Sequence, residues 1–334
     1  MFSGGRFGLV AIGLALTVAL GACSSPGPAN VAASGEVTAT LRDPDPTPIA
    51  SDPHPVLPVT LRGFDGNSVT VSDIDRIIAV DRFGTLAQTV YALGLGTHLI
   101  GRSTAAKLPA IINRPDVTPN GESMSVEAVL ALHPTVLLTD STTGTAAVFE
   151  QLRAAGVTLV FFDPARTLAG TGPQIQAVAD ALGVHDAGTA LAARTTAEIQ
   201  AAGAAITPHN PQPRIAFIYL RGTALTMLAG PGSGADALIT GLRAEDAGTA
   251  AGLTEPFVTI TSEALIAARP DILLVMTDGL DSIGGPSALY KLPGVAQTPA
   301  GRDKRIIDMS DAVLLCFGPN TGRVLSALSP AVYR

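Results

Sequence analysis

Tyr219 and Arg221 are the residues of this chain whose types and spacing best fit chemistry. They follow the apolar run Ile215-Ala216-Phe217-Ile218, which reads as a strand. Tyr219 therefore stands at a strand's carboxyl end, where α/β crevices take their ligands. Two residues apart in a strand, the two side chains point the same way. A guanidinium beside a phenol favours the phenolate, the form that bonds ferric iron. The plain alternative is a half-buried strand tyrosine whose hydroxyl bonds backbone. Arg82, after the first strand of the other half of the chain, is a candidate cation for carboxylates. Met276 ends another strand, where it either lines a crevice or fills a core. The turn Gly230-Pro231-Gly232-Ser233-Gly234 precedes a helix, and its amides could hold a carboxylate. It lacks dinucleotide spacing and a P-loop lysine, and a tight structural turn explains it at least as well.

Signs of turnover are few. There is no Gly-x-Ser-x-Gly elbow, no His-Glu-x-x-His and no paired-cysteine motif. Asp81, Asp140, Asp163 and Asp278 stand near strand ends and would suit hydrolysis, but no histidine accompanies them in sequence. His54 falls in a polar segment, His98, His185 and His209 in connections, and His133 just before Pro134. A net charge of −7 with no basic block argues against nucleic acid as a partner. The 47% of hydrophobic residues suffices for a core.

These candidates need elements to position them, and the chain repeats itself to supply them. SVEAVLALHPTVLL (Ser125 to Leu138) returns as TSEALIAARPDILL (Thr261 to Leu274). Each copy has a capping Ser or Thr, then a glutamate, Glu127 or Glu263, in the first helical turn. Pro134 or Pro270 ends the helix, and a short branched strand follows. RIIAVDRFGT (Arg76 to Thr85) likewise matches RIAFIYLRGT (Arg214 to Thr223). The pattern predicts an α/β fold: two Rossmann-like lobes with parallel sheets and a ligand crevice between them. Pro173 to Leu182 and Asp186 to Ile206 read as helices, the second about 30 Å long and able to join the lobes as a strut.

The N-terminus bears on compartment. Arg6 precedes an apolar run, Phe7 to Ala19, too short for an ordinary span. The run ends in Leu20-Gly21-Ala22-Cys23, which resembles a bacterial lipobox and implies cleavage before Cys23 and acylation of its sulfur. A plain signal peptide with an incidental cysteine is the alternative. Cys316 is then left alone, and no disulfide is expected. The expected organisation is a signal peptide over 1–22, a disordered tether over 23–55, an N-terminal lobe over 56–171, connecting helices over 172–210 and a C-terminal lobe over 211–334.

Lipoprotein tether, two α/β lobes and helical connector together resemble the substrate-binding proteins of metal-chelate ABC importers. Five stretches are similar to actinobacterial haemin-binding lipoproteins: DRFGTLAQTVYALGLG, VTPNGESMSVEAVLAL, YLRGTALTMLAGPGSGADALI, LLVMTDGLDSIGG and LPGVAQTPAGR. The resemblance implies two lobes joined by a single long helix and haem as the transported ligand. It implies Tyr219 as the axial iron ligand with Arg221 beside it. It also implies that Glu127 and Glu263 dock onto arginines of a permease dimer that works with an ATPase. Helix-dipole complementarity, about 0.3–1 kcal/mol each, is the alternative for these glutamates. Relatives often place a histidine ligand just before the first repeat copy, where this chain has Glu122. Met124 then offers a sulfur and Glu122 a carboxylate, or both are ordinary loop residues. The expectation is a monomer, lipid-anchored on the extracytoplasmic face of the cell membrane. Binding of a ferric siderophore or cobalamin, and a non-transport sensor, remain the alternatives.

Overall fold

The computed structural model describes Met1 and residues 35–119, 121 and 123–334. Cys23 and the apolar run before it lie outside the described residues, as does Glu122. The strands are β1 (Glu36–Ala39), β2 (Val59–Arg62), β3 (Ser68–Val71), β4 (Ile77–Val80), β5 (Leu99–Arg102), β6 (Val136–Thr139) and β7 (Leu159–Phe161). They continue with β8 (Arg214–Arg221), β9 (Leu225–Ala229), β10 (Glu245–Asp246), β11 (Phe257–Thr259), β12 (Ile272–Met276) and β13 (Ile306–Met309).

The first lobe is built on a parallel sheet in the order β5-β4-β6-β7. Every residue of β4 and β6 is buried, as expected for strands covered on both faces. Alternation sorts their side chains. Ile77, Ala79, Val136 and Leu138 pack with Leu86, Val90, Ile175 and Val178 on one face. Ile78, Val80, Leu137 and Leu159 pack with Val129, Phe149 and Leu152 on the other.

The second sheet is mixed, where parallel strands alone were expected. Its order is β1-β13-β12-β8-β9-β11, with β10 pairing β8. β8, β12, β13 and β1 run parallel, but β9 folds back antiparallel on β8, and β11 on β9. The turn Gly222 to Ala224 makes that hairpin, with Gly222 at φ 54°. Ile215 and Phe217 face the core shared with Leu238, Ile239, Leu325 and Leu328, and the half-buried Tyr219 continues that row.

Both repeat copies form as expected. The Ser125 hydroxyl accepts from the Ala128 amide at 3.2 Å, and Thr261 from Ala264 at 3.1 Å. His133 (φ 45°) and Arg269 (φ 47°), each directly before a proline, are left-handed. The following ring disfavours the right-handed helical region there, so the helix turns out at the same place twice.

The tether expectation fails from Glu36 onward. β1 pairs with β13, and the Thr38 hydroxyl donates to Asp308 at 2.8 Å. Next the strap crosses both lobes. Asn320 Nδ2 donates to the Pro44 carbonyl at 2.7 Å, Arg194 to Thr47 at 2.7 Å, and the Ile49 amide to Ala92 at 2.7 Å. This segment is held mainly by backbone groups on an open sheet edge and in grooves, so it has no hydrophobic period to betray it.

Between the lobes run the helices Leu168–Ala181 and His185–Ala205. The first starts before the expected Pro173, because the Thr167 hydroxyl caps the Gly170 amide at 2.9 Å. The second has 21 residues, about 31 Å at 1.5 Å each. Its Leu191 lies in the first lobe's core and its Ala202 in the second's. Gly188 and Gly322 let its neighbours approach: a Cβ at either would stand within 3 Å of Ala179 or of the Glu198 backbone.

Candidate functional site

The carboxyl ends of β4 and β8 face a crevice of about 750 Å3 between the lobes. Arg82, Phe83, Thr104 and Lys107 line it from the first lobe. Tyr219, Arg221, Leu225, Met227, Phe257, Met276, Asp278, Asp311 and Leu315 line it from the second. Tyr219 is held from two sides. Its ring meets Phe257 edge-on, 6.2 Å between centroids, and Met227 lies directly opposite it in the β8–β9 register. The Arg221 guanidinium lies over the Tyr219 ring, 4.7 Å from its centroid. The shared face expected from their spacing is therefore real, but the cation sits on the ring face and is also paired to Asp311 at 3.1 Å. Burial pushes the Asp311 carboxyl up from the ordinary range, while the Asp278 amide, donating at 2.9 Å, opposes the shift.

Of the other sequence candidates, Arg82 and Met276 both reach the crevice. Arg82 is exposed, and its guanidinium donates to the Thr142 carbonyl at 3.3 Å. Met276 meets both readings given for it, since it is buried in the second-lobe core and also lines the crevice. Met124 does not join them. Its side chain is buried with Val117, Val129 and Phe149 in the outer core of the first lobe, and its amide donates to Thr143 at 2.8 Å. The apolar thioether finds a better place there than in a polar loop. None of the five histidines lines the crevice.

The glycine turn does not offer free amides. Asp236 Oδ2 accepts from Gly232 at 2.8 Å and Oδ1 from Gly234 at 2.9 Å, so the sequence carries its own anion for the turn. Asp81 and Asp140 are equally committed. Both carboxylates are buried and bridged by Arg166, at 3.2 and 3.1 Å, and Asp81 also accepts from the Thr85 and Leu86 amides at the next helix start. Burial, and then the charge of Asp81, raise the pKa of Asp140 despite Arg166. The Phe83 ring stands 5.5 Å from the Arg166 guanidinium, which seats this triad beside the crevice as structure and leaves it no free hydrolytic carboxylate.

Sequence reasoning missed Lys107, Asp311, Phe83 and the β9–β11 wall. The signal for the wall was there. Gly222 in a three-residue gap, followed by the strand-like Leu225 to Ala229, fits a hairpin.

The periplasmic binding protein family matches residues 82–313. This chain is a periplasmic binding protein. Proteins of this family are extracytoplasmic, non-enzymatic transport components. Among the described residues, no helix is long and apolar enough to cross a membrane. The haem-binding protein HmuT is 34% identical, with a TM-score of 0.87 over 90% of this binding protein and 98% of that chain. The periplasmic haem-binding protein RhuT of Roseiflexus sp. RS-1 is 36% identical, with a TM-score of 0.72 over 78% and 98%. The periplasmic haem-binding protein BhuT, solved with two haems, is 32% identical, with a TM-score of 0.68 over 77% and 97%. No curated protein matches its sequence.

Proposed function

We propose that this binding protein captures haemin outside the cytoplasm and delivers it to the permease of an ABC importer, anchored to the membrane by lipid on Cys23. The observation that carries the reading is Tyr219. It is a half-buried phenol at a strand end, its ring pinned by Phe257 and Arg221, facing a crevice between two lobes. The crevice chemistry fits the ligand. Phe83, Leu225, Met227 and Phe257 suit a flat macrocycle, the Tyr219 oxygen suits ferric iron, and Arg82 and Lys107 suit carboxylates. Similar proteins are described as haem-binding. In solved variants of HmuT a histidine, a tyrosine or an arginine is replaced, the last two spaced as Tyr219 and Arg221 are.

In this reading Tyr219 bonds the iron, Arg221 holds its ring, and Arg82 and Met276 line the bound ligand. Met124 is left out of the ligand set by its burial in the core. Glu127 and Glu263 contact the permease. Each is exposed in the first turn of an equivalent capped helix, one on each lobe. The Glu263 backbone amide and then the Ser262 hydroxyl hold its carboxyl below the usual range, so it is charged when a basic partner approaches. The protein acts as a monomer. A titration of purified protein with haemin, cobalamin and a ferric siderophore tests the ligand. Tight haemin binding alone is expected, and tight siderophore binding with none of haemin would overturn it. Mass spectrometry of the native N-terminus tests the anchor, which an unmodified Cys23 would rule out.

A further inference from the structure

We propose that Lys107 binds a carboxylate of the ligand and that Asp278 occupies Lys107 until the ligand arrives. Lys107 belongs to the loop after β5 in the first lobe. Asp278 opens the helix Thr277–Ser282 after β12 in the second. Separated by 171 positions, they meet across the crevice as a direct ion pair. Both side chains line the crevice.

Among the described residues the crevice holds two cation–carboxylate pairs, and they differ in how firmly each is held. Arg221 is committed to Asp311, whose side chain is only 8% exposed, and to the Tyr219 ring. Among the described residues Lys107 is paired with Asp278, at side-chain exposures of 37% and 54%. An ammonium on a flexible four-carbon stem can change partner with little rearrangement. Exchanging one carboxylate for another keeps the local charge balance, and the displaced Asp278 side chain returns to water rather than to a buried site. The two pairs are also joined, because the Asp278 amide donates to the Asp311 carboxylate that holds Arg221. Lys107 is thus the first-lobe end of a series of contacts that finishes on the Tyr219 ring. In the free protein the Lys107–Asp278 pair ties the lobes across the crevice, and Asp278 competes with the ligand.

The inference rests on the haemin reading for the identity of the carboxylate, and the test separates the two. Wild type, Lys107→Gln and Asp278→Asn are titrated with haemin and with haemin dimethyl ester, whose carboxylates are masked. Lys107→Gln is expected to weaken haemin binding about three- to fivefold and leave the ester unchanged, the scale of a partly exposed ion pair. Asp278→Asn is expected to strengthen haemin about twofold by removing the competitor, again without effect on the ester. The opposite signs guard against a folding defect, which would weaken binding in both variants. Wild type binding haemin with Lys107→Gln unaltered, or losing haemin and ester equally, overturns the assignment and leaves the haemin reading standing. Wild type that binds neither haemin nor ester overturns the haemin reading, and this assignment with it.

Discussion

The charged side chains around the crevice divide by burial. Arg221 is exposed and polarises the Tyr219 ring from its face, which fixes the ring's direction more than it touches the hydroxyl. Asp81, Asp140 and Arg166 are out of water, two carboxyls against one guanidinium. Their arrangement has a consequence for pH. Burial, assisted by Asp81, raises Asp140 above its ordinary 3.8. Between 3.8 and that raised value the folded state keeps a proton that the unfolded chain has released. This group's contribution to stability therefore falls as pH rises through the window, and the loss is complete above it. Asn cannot titrate, so the unfolding free energy of wild type measured against Asp140→Asn should decline with rising pH across the window. A difference that grows with pH would contradict the burial argument.

At the scale of elements, the helix His185–Ala205 holds its neighbours through glycine. A Cβ on Gly322 would meet the Glu198 carbonyl carbon at 2.6 Å, backbone that cannot swing aside. Gly322→Val should cost about 1–3 kcal/mol of unfolding free energy by overpacking, with ligand affinity in the still-folded protein unchanged. Chemical denaturation measures the first and titration the second. The same distinction, between side-chain pattern and backbone fit, explains what was legible in the sequence. The two repeat copies were readable because capping oxygens, glutamates and prolines act locally. β4, β6 and β12 were readable because strands buried on both faces must be continuously apolar. β1 was hidden among residues taken for a tether, since Glu36 to Ala39 is held by an edge strand far away in sequence. β9 went unread because the sequence reading passed from the strand Ile215-Ala216-Phe217-Ile218 to the glycine turn at Gly230. Tyr219, Arg221 and Arg82 could be placed at the crevice from their positions at strand ends. Lys107 could not, because its loop has no period and its partner lies in the other lobe.

The whole molecule is two lobes with one strut rooted in the core of each, and hydrogen bonds also join the lobes directly. The Thr85 hydroxyl of the first lobe donates to the Cys316 carbonyl of the second, and the Asn320 amide donates to Gln88 at 3.3 Å. The strap from β1 adds contacts to both sides. Glu127 and Glu263, the proposed docking pair, stand one on each lobe. Reversing both to Lys should abolish uptake in cells while leaving the haemin titration of the purified protein unchanged, because rim charges act on partner encounter. Uptake that survives the double reversal would discard the docking role. In the proposed haemin complex the bond to iron rests on one oxygen atom, that of Tyr219. Haemin bound to the wild-type protein should show a high-spin ferric spectrum with a phenolate charge-transfer band. Tyr219→Phe should lose that band and weaken binding at least about tenfold, the scale of a lost bond to a charged centre. A Tyr219→Phe protein that keeps both the band and the affinity would contradict the account.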